Sequence, residues 1–214
     1  MYLSRIKLSG NKREAMMAQS SPSRIHGTLE TSFGGQRRHP LWRIDKLNGE
    51  EYILILTDLP EDFTAAADIL SDDGTWEQAD YSKLLNRVKA GTTWRFRLTA
   101  NPTISEPAKP TAPGAEHPRG HVKALALNFQ QLDWLSRQGE KHGFKLPVPA
   151  AVTESTWKVF NKKGQGKRVS ILSVTFEGIL TVTDEALFLN ALVNGIGRGK
   201  AYGNGLLTLA SVNG

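Results

Sequence analysis

The stretch Gly195-Ile196-Gly197-Arg198-Gly199-Lys200-Ala201-Tyr202-Gly203-Asn204-Gly205 separates two segments of different period. Before it, Ala186, Leu187, Leu189, Leu192 and Val193 form the apolar stripe of a helix over Glu185–Asn194, with Asp184 as its N-cap. After it, residues 206–211 read as a strand. A dinucleotide-binding fingerprint would need glycine at 200 and a preceding strand, whereas this sequence has Lys200 and a preceding helix. A Walker loop would need glycine at 194 and Ser or Thr at 201, where Asn194 and Ala201 stand. What remains is a helix-to-strand turn carrying two cations, Arg198 and Lys200. Close approach of its backbone to a phosphate chain explains the glycines. A plain flexible connection is the competing reading.

Outward from that loop, the rest of the chain reads as short strands and helices. Residues 2–9 alternate as a first strand, and a short helix is expected around 25–33. Residues 34–40 read as a mobile basic loop. Strands over 41–47 and 51–57 are joined at Asn48-Gly49, a strong hairpin signal. A helix over 61–70 and a strand over 92–100 complete a β-α-β-β-α-β order. Residues 101–120 hold five of the ten prolines and read as a linker. Beyond them come a helix over 125–143, a hairpin of strands 156–160 and 169–182, the capped helix and the terminal strand. An opening strand for this half is expected from 118–123. The fold class expected is therefore α+β, two ferredoxin-like (βαββαβ) units in tandem, over 1–100 and 121–214.

Composition narrows the function. The 214 residues are 39% hydrophobic and 22% charged, as in an ordinary globular protein. No cysteine is present, which excludes disulfide scaffolds, thiolate nucleophiles and cysteine-ligated zinc. No apolar run approaches the ~20 residues that span a bilayer. The opening residues lack a signal-peptide core, so a cytoplasmic protein without membrane association is expected. The net charge is +6, and residues 157–214 hold seven basic side chains against three acidic ones. That concentration points to a phosphate-bearing partner.

Gly195-Ile196-Gly197, five residues, then Gly203-Asn204-Gly205 resembles the C-terminal glycine loop of the RAMP superfamily of CRISPR proteins. Asn204 stands where a hydrophobic residue is expected. The opening Met1-Tyr2-Leu3-Ser4, the segment Arg95-Phe96-Arg97-Leu98-Thr99-Ala100-Asn101-Pro102 and Phe176-Glu177-Gly178 with Leu180 resemble one branch of it. That branch is the CasE-type endoribonucleases of type I-E CRISPR systems. The resemblance implies cleavage of CRISPR precursor RNA at the 3′ base of the repeat stem-loop. A 2′,3′-cyclic phosphate would result, without metal or cofactor. It also implies that the chain keeps the crRNA as a subunit of the type I-E Cascade complex. Two other classes stay open: a non-catalytic RAMP subunit that only binds guide RNA, and a general RNA-binding module.

In such enzymes a histidine shortly after the first strand does the chemistry, and His26 falls there. Independently, imidazole titrates near neutrality and can take or give a proton at a phosphodiester. Some relatives place a tyrosine three residues earlier; here that residue is Ser23, so no phenolic partner is expected. Arg24 is the candidate for holding the phosphate, because a guanidinium grips two phosphate oxygens. Lys158, Lys162, Lys163, Lys167 and Arg168 form a cationic hairpin suited to the major groove of A-form RNA, where relatives insert the matching segment. Arg37, Arg38, Arg198 and Lys200 add phosphate contacts, and Gly195, Gly197, Gly199, Gly203 and Gly205 shape the loop. Of the other histidines, His39 lies in the basic loop and His142 at a helix end. His117 and His121 are separated by Pro118 and Gly120, which argues against a helical metal pair. Trp42, Trp94 and Phe96 sit at strand-alternation positions and read as core.

Overall fold

The chain begins with strand β1 (Tyr2–Lys7), whose Ser4 and Ile6 point inward. It is followed by helices α1 (Arg13–Gln19) and α2 (Pro22–Glu30) and a single 3-10 turn, Thr31–Phe33. Strands β2 (Leu41–Leu47) and β3 (Glu50–Thr57) close tightly because Asn48 and Gly49 both take positive φ, 52° and 87°. Helix α3 (Thr64–Leu70), strand β4 (Trp76–Asp80) and the short α4 (Ser82–Leu85) follow. The second half comprises β5 (Thr93–Ala100), β6 (Thr103–Glu106), β7 (His121–Ala124), α5 (Asn128–Lys141) and β8 (Phe144–Lys145). It ends with β9 (Ala151–Asn161), β10 (Arg168–Val182), α6 (Glu185–Asn194), a 3-10 turn at Lys200–Tyr202 and β11 (Leu207–Ala210). This computed structural model describes residues 1–36, 38–106, 121–161 and 168–212.

Among the described residues, two larger antiparallel sheets form beside the two-stranded β6-β7 sheet. The first runs β2-β3-β1-β4 and the second β11-β5-β10-β8, with β9 pairing β10 beside β8. Each has the strand order of a ferredoxin-like unit, in which the fourth strand lies outside the first and the second outside the third. In the first unit Ile25 and Leu29 of α2 and Ala66, Ala67 and Leu70 of α3 bury against Ile6, Ile53 and Ile55. In the second, Trp134 and Leu135 of α5 and Phe188 and Leu192 of α6 cover Phe96, Leu98, Leu172 and Phe176. The three aromatics assigned to the core are there, with Trp42, Trp94 and Phe96 all buried.

Several expectations need correction. Strand β5 pairs with β10 and β11, so it opens the second unit rather than closing the first. Its place in the first sheet is taken by β4, and the sheets divide the chain between residues 80 and 93 instead of at 100. Of the opening strand expected over 118–123, residues 121–123 pair elsewhere: β7 joins β6 in a separate hairpin, from Thr103↔Ala124 to Glu106↔His121, and 118–120 lie outside the described residues. The linker expected over 101–120 therefore starts as paired strand, and residues 107–120 lie outside the described residues. The first helical region begins earlier than 25. Ser21 caps α2 by accepting a hydrogen bond from the Ser23 amide, and Pro22 occupies its first turn, where its missing N–H costs nothing.

Candidate active site at the junction of the two units

Helix α2 carries Ile25 and Leu29 into the core, so His26, about 100° round the helix, sits at the core's margin. Its side chain is 19% exposed, and Nε2 lies 3.2 Å from Oε1 of Glu30, one turn on. Nδ1 is buried and has no hydrogen-bond partner. With Nδ1 inside, the Nε2 edge is the part of the ring a substrate can meet. Burial pushes the His26 pKa below its ordinary 6.5; the Glu30 carboxylate raises it and His39 lowers it. His26 is therefore held in the neutral, proton-accepting form near pH 7.

The ring opens onto a cavity of about 340 Å³ shared by three parts of the chain. His26 comes from α2, His39, Pro40 and Leu41 from the approach to β2, and Val193, Asn194, Lys200 and Ala201 from α6 and the glycine-rich loop. The loop reaches across because its glycines fit against the first unit. A Cβ on Gly203 would stand 2.7 Å from the Trp42 ring, and one on Gly195 2.8 Å from the Leu41 side chain; both residues take positive φ. The space those glycines leave is filled by protein, which gives them a packing reason beside the expected approach to a phosphate chain. Asn204, fully buried, accepts from the Ser173 hydroxyl at 2.8 Å and donates to the Gly199 and Tyr202 carbonyls. A hydrophobic residue could not make those bonds.

A second contact fixes the junction. Arg43 of β2 is buried and paired twice with Asp45, at 2.7 and 2.6 Å. It also donates to the carbonyls of Arg97 and Leu206, both at 2.9 Å, and to the Thr208 hydroxyl at 2.7 Å. One guanidinium thus ties the first sheet to β5 and to the strand that follows the loop. The pair is fully bonded, and that is the condition under which a buried charge is tolerated.

The other expected site residues are scattered. Arg24 is exposed and lines a different groove, with Val159 and Asn161 of β9. Two residues along a helix is a turn of about 200°, so it cannot share a face with His26. That corrects its pairing with His26 on one phosphate. Lys200 does share the cavity with His26. Arg198 is exposed outside that cavity, and its backbone forms the isolated bridge to Asn101. Arg38 is held by Asp58 at 3.3 Å and Glu61 at 3.5 Å, so a phosphate would compete with two carboxylates for it.

Lys158 faces the cleft between the sheets with Arg43, Arg97 and Glu154, and burial lowers its pKa while Glu154 raises it. Arg168 is exposed where the hairpin leaves, opposite Asn161. Arg37, Lys162, Lys163, Lys167 and His117 lie outside the described residues. Sequence reasoning missed Glu30, His39, Arg43 and the role of Asn204. Only Glu30 left a local trace, its i,i+4 spacing from His26; the rest depend on contacts between distant segments. Among the described residues, no group of three or more metal-ligating side chains is assembled, and no helix is long and apolar enough to cross a membrane.

Residues 1–211 match the protein family described as CRISPR associated protein. The chain is 30% identical over 225 residues to CRISPR-associated endoribonuclease Cse3 of Thermus thermophilus, covering 98% of this chain and 100% of that protein. It is 33% identical over 130 residues to the CRISPR system Cascade subunit CasE of Escherichia coli, covering 58% of this chain and 61% of that one. The structure of Thermus thermophilus Cse3 bound to an RNA representing a pre-cleavage complex superposes with a TM-score of 0.75 at 27% identity, covering 98% of each chain.

Proposed function

Because the chain belongs to the CRISPR-associated protein family, in its CasE/Cse3-type branch, we propose that it is a crRNA-maturing endoribonuclease. It cuts precursor RNA at the 3′ base of the repeat stem-loop. His26 takes the proton of the 2′-hydroxyl, whose oxygen attacks the adjacent phosphorus. The products are a 2′,3′-cyclic phosphate and a 5′-hydroxyl. Lys200 places a positive charge where negative charge builds on the phosphorane. The observation that carries this reading is the single cavity in which the His26 ring and Lys200 meet, although 174 positions separate them. The route uses imidazole, ammonium and the RNA's own hydroxyl, and no metal or cofactor takes part.

The division of labour follows the two units. The first carries the catalytic histidine; the second carries the cationic β9–β10 hairpin, which grips the stem, and the loop that delivers Lys200. Arg24 and Arg168 contact the RNA backbone away from the cut. The product stays bound, and the protein rides with it as a subunit of the type I-E Cascade complex in the cytoplasm. Membership of that complex is supported by the name of the E. coli relative.

Replacing the 2′-hydroxyl of the scissile nucleotide by hydrogen tests the reaction. The expected result is loss of cleavage with stem-loop affinity unchanged. Cleavage of the deoxy substrate at the unmodified rate would overturn the mechanism. Binding of the all-ribose repeat without any cleavage would make the chain a guide-RNA-holding subunit instead.

A further inference from the structure

The cavity beside His26 holds a second imidazole that the mechanism above does not use. His39 is exposed, on the segment leading into β2, and it faces the same space as His26 and Lys200. The two histidines come from separate elements. They are close enough that His39 disfavours charge on His26. An in-line displacement has two ends. The entering 2′-oxygen must lose a proton on one side of the phosphorus, and the departing 5′-oxygen must gain one on the other. Left unprotonated, that oxygen would depart as an alkoxide about as basic as hydroxide, a poor leaving group. One ring cannot stand at both ends at once.

Resting on the endoribonuclease reading, we infer that His39 is the second proton carrier, its imidazolium protonating the departing 5′-oxygen while His26 removes the 2′-hydroxyl proton. The 2′-oxygen–phosphorus bond forms as the bond from phosphorus to the 5′-oxygen breaks. One proton moves to His26 and one leaves His39, so the pair ends in exchanged protonation states and resets through solvent. The assignment follows the surroundings of each ring. His26 is largely buried, which suits the neutral acceptor, whereas His39 is exposed, so solvent can return the proton it gives up. Among the described residues, the charged groups around the pair are Glu30 on α2 and Lys200 on the loop; Arg38, next to His39, is already held by Asp58 and Glu61.

A repeat RNA with sulfur in place of the bridging 5′-oxygen at the cut separates the roles. A thiolate leaves without help, because its conjugate acid has a pKa of about 8.5. His39→Ala is expected to slow single-turnover cleavage of the ordinary substrate by about 10²–10⁴-fold, and the sulfur substrate by less than about 10-fold. His26→Ala is expected to slow both. Since His39 is exposed, stem-loop affinity of His39→Ala should equal wild type and certifies its fold. Wild-type cleavage of the ordinary substrate by His39→Ala would overturn the inference and leave the His26 reading standing. Equal slowing of both substrates by His39→Ala, or rescue by sulfur of His26→Ala alone, would also overturn it. Wild-type cleavage by His26→Ala would instead sink the underlying reading.

Discussion

At the scale of single residues, His26 is governed by two opposed influences. Burial strips water from the ring and disfavours the imidazolium, while the carboxylate of Glu30 at 3.2 Å favours it. Burial is the larger, so the folded pKa lies below 6.5. The sign for stability follows: the contribution is present above the unfolded value and is lost as pH falls through the folded one. For a proton acceptor the rate follows the neutral fraction, so the acidic limb of kcat/KM should bend below pH 6.5. Glu30→Gln removes the influence that raises the pKa, and the limb should move to still lower pH. A limb moving upward in a pH–rate series on that variant would mean that the limb reports another group.

At the scale of elements, the glycine-rich loop is a fitted part rather than a hinge. Gly203→Ala would force a Cβ to within 2.7 Å of Trp42 at a φ of +75°. The left-handed conformation costs about 1–2 kcal/mol and crowding about 1–3 kcal/mol more. Denaturant unfolding should show a loss on the order of 2–5 kcal/mol. Cleavage should fall more than affinity does, because Lys200 hangs on the same loop. Asn204→Leu leaves the buried Ser173 hydroxyl without its acceptor and two carbonyls without a donor, a loss of about 1–3 kcal/mol in the same measurement.

The legible elements were those with local signals: the Asn48-Gly49 turn, the Asp184 cap that accepts from Leu187 N–H, and the alternation of β1. Helix α1 was hidden because it is short and buries only Ala15 and Ala18. Strand β4 was hidden because, at a sheet edge, it buries no residue fully. The sequence pattern marks β5 as a strand, but it does not say which sheet receives it. That choice is made by partners such as Phe176↔Leu98 and Leu207↔Leu98, both far along the chain. His26 and Lys200 were legible as chemistry, through residue type and family resemblance, whereas His39 entered the site only when the approach to β2 folded back over α2.

At the scale of the whole molecule, the site exists only while the two units stay docked, and Arg43 ties them by three hydrogen bonds across the junction. Arg43→Met leaves Asp45 as a buried charge without its main partner, so stability should fall by about 3–5 kcal/mol. Adding Asp45→Leu should recover much of that loss in equilibrium unfolding, since the cost lies in the orphaned charge. Equal stability of the single and double variants would show that the tie is not electrostatic. On the proposed reading, cations spread over both units grip the RNA, so affinity should weaken steeply with salt. Neutralising a lysine that meets a phosphate should reduce the slope of log K against log salt by about one.

The most direct trial of the account is single-turnover cleavage of a folded repeat stem-loop by His26→Ala, with the equilibrium affinity for the same RNA measured alongside. The structure leads us to expect a rate about 10²–10⁴-fold or more below wild type at unchanged affinity. An undiminished rate, with binding intact, would contradict the account: the imidazole at the junction would then be no part of the chemistry.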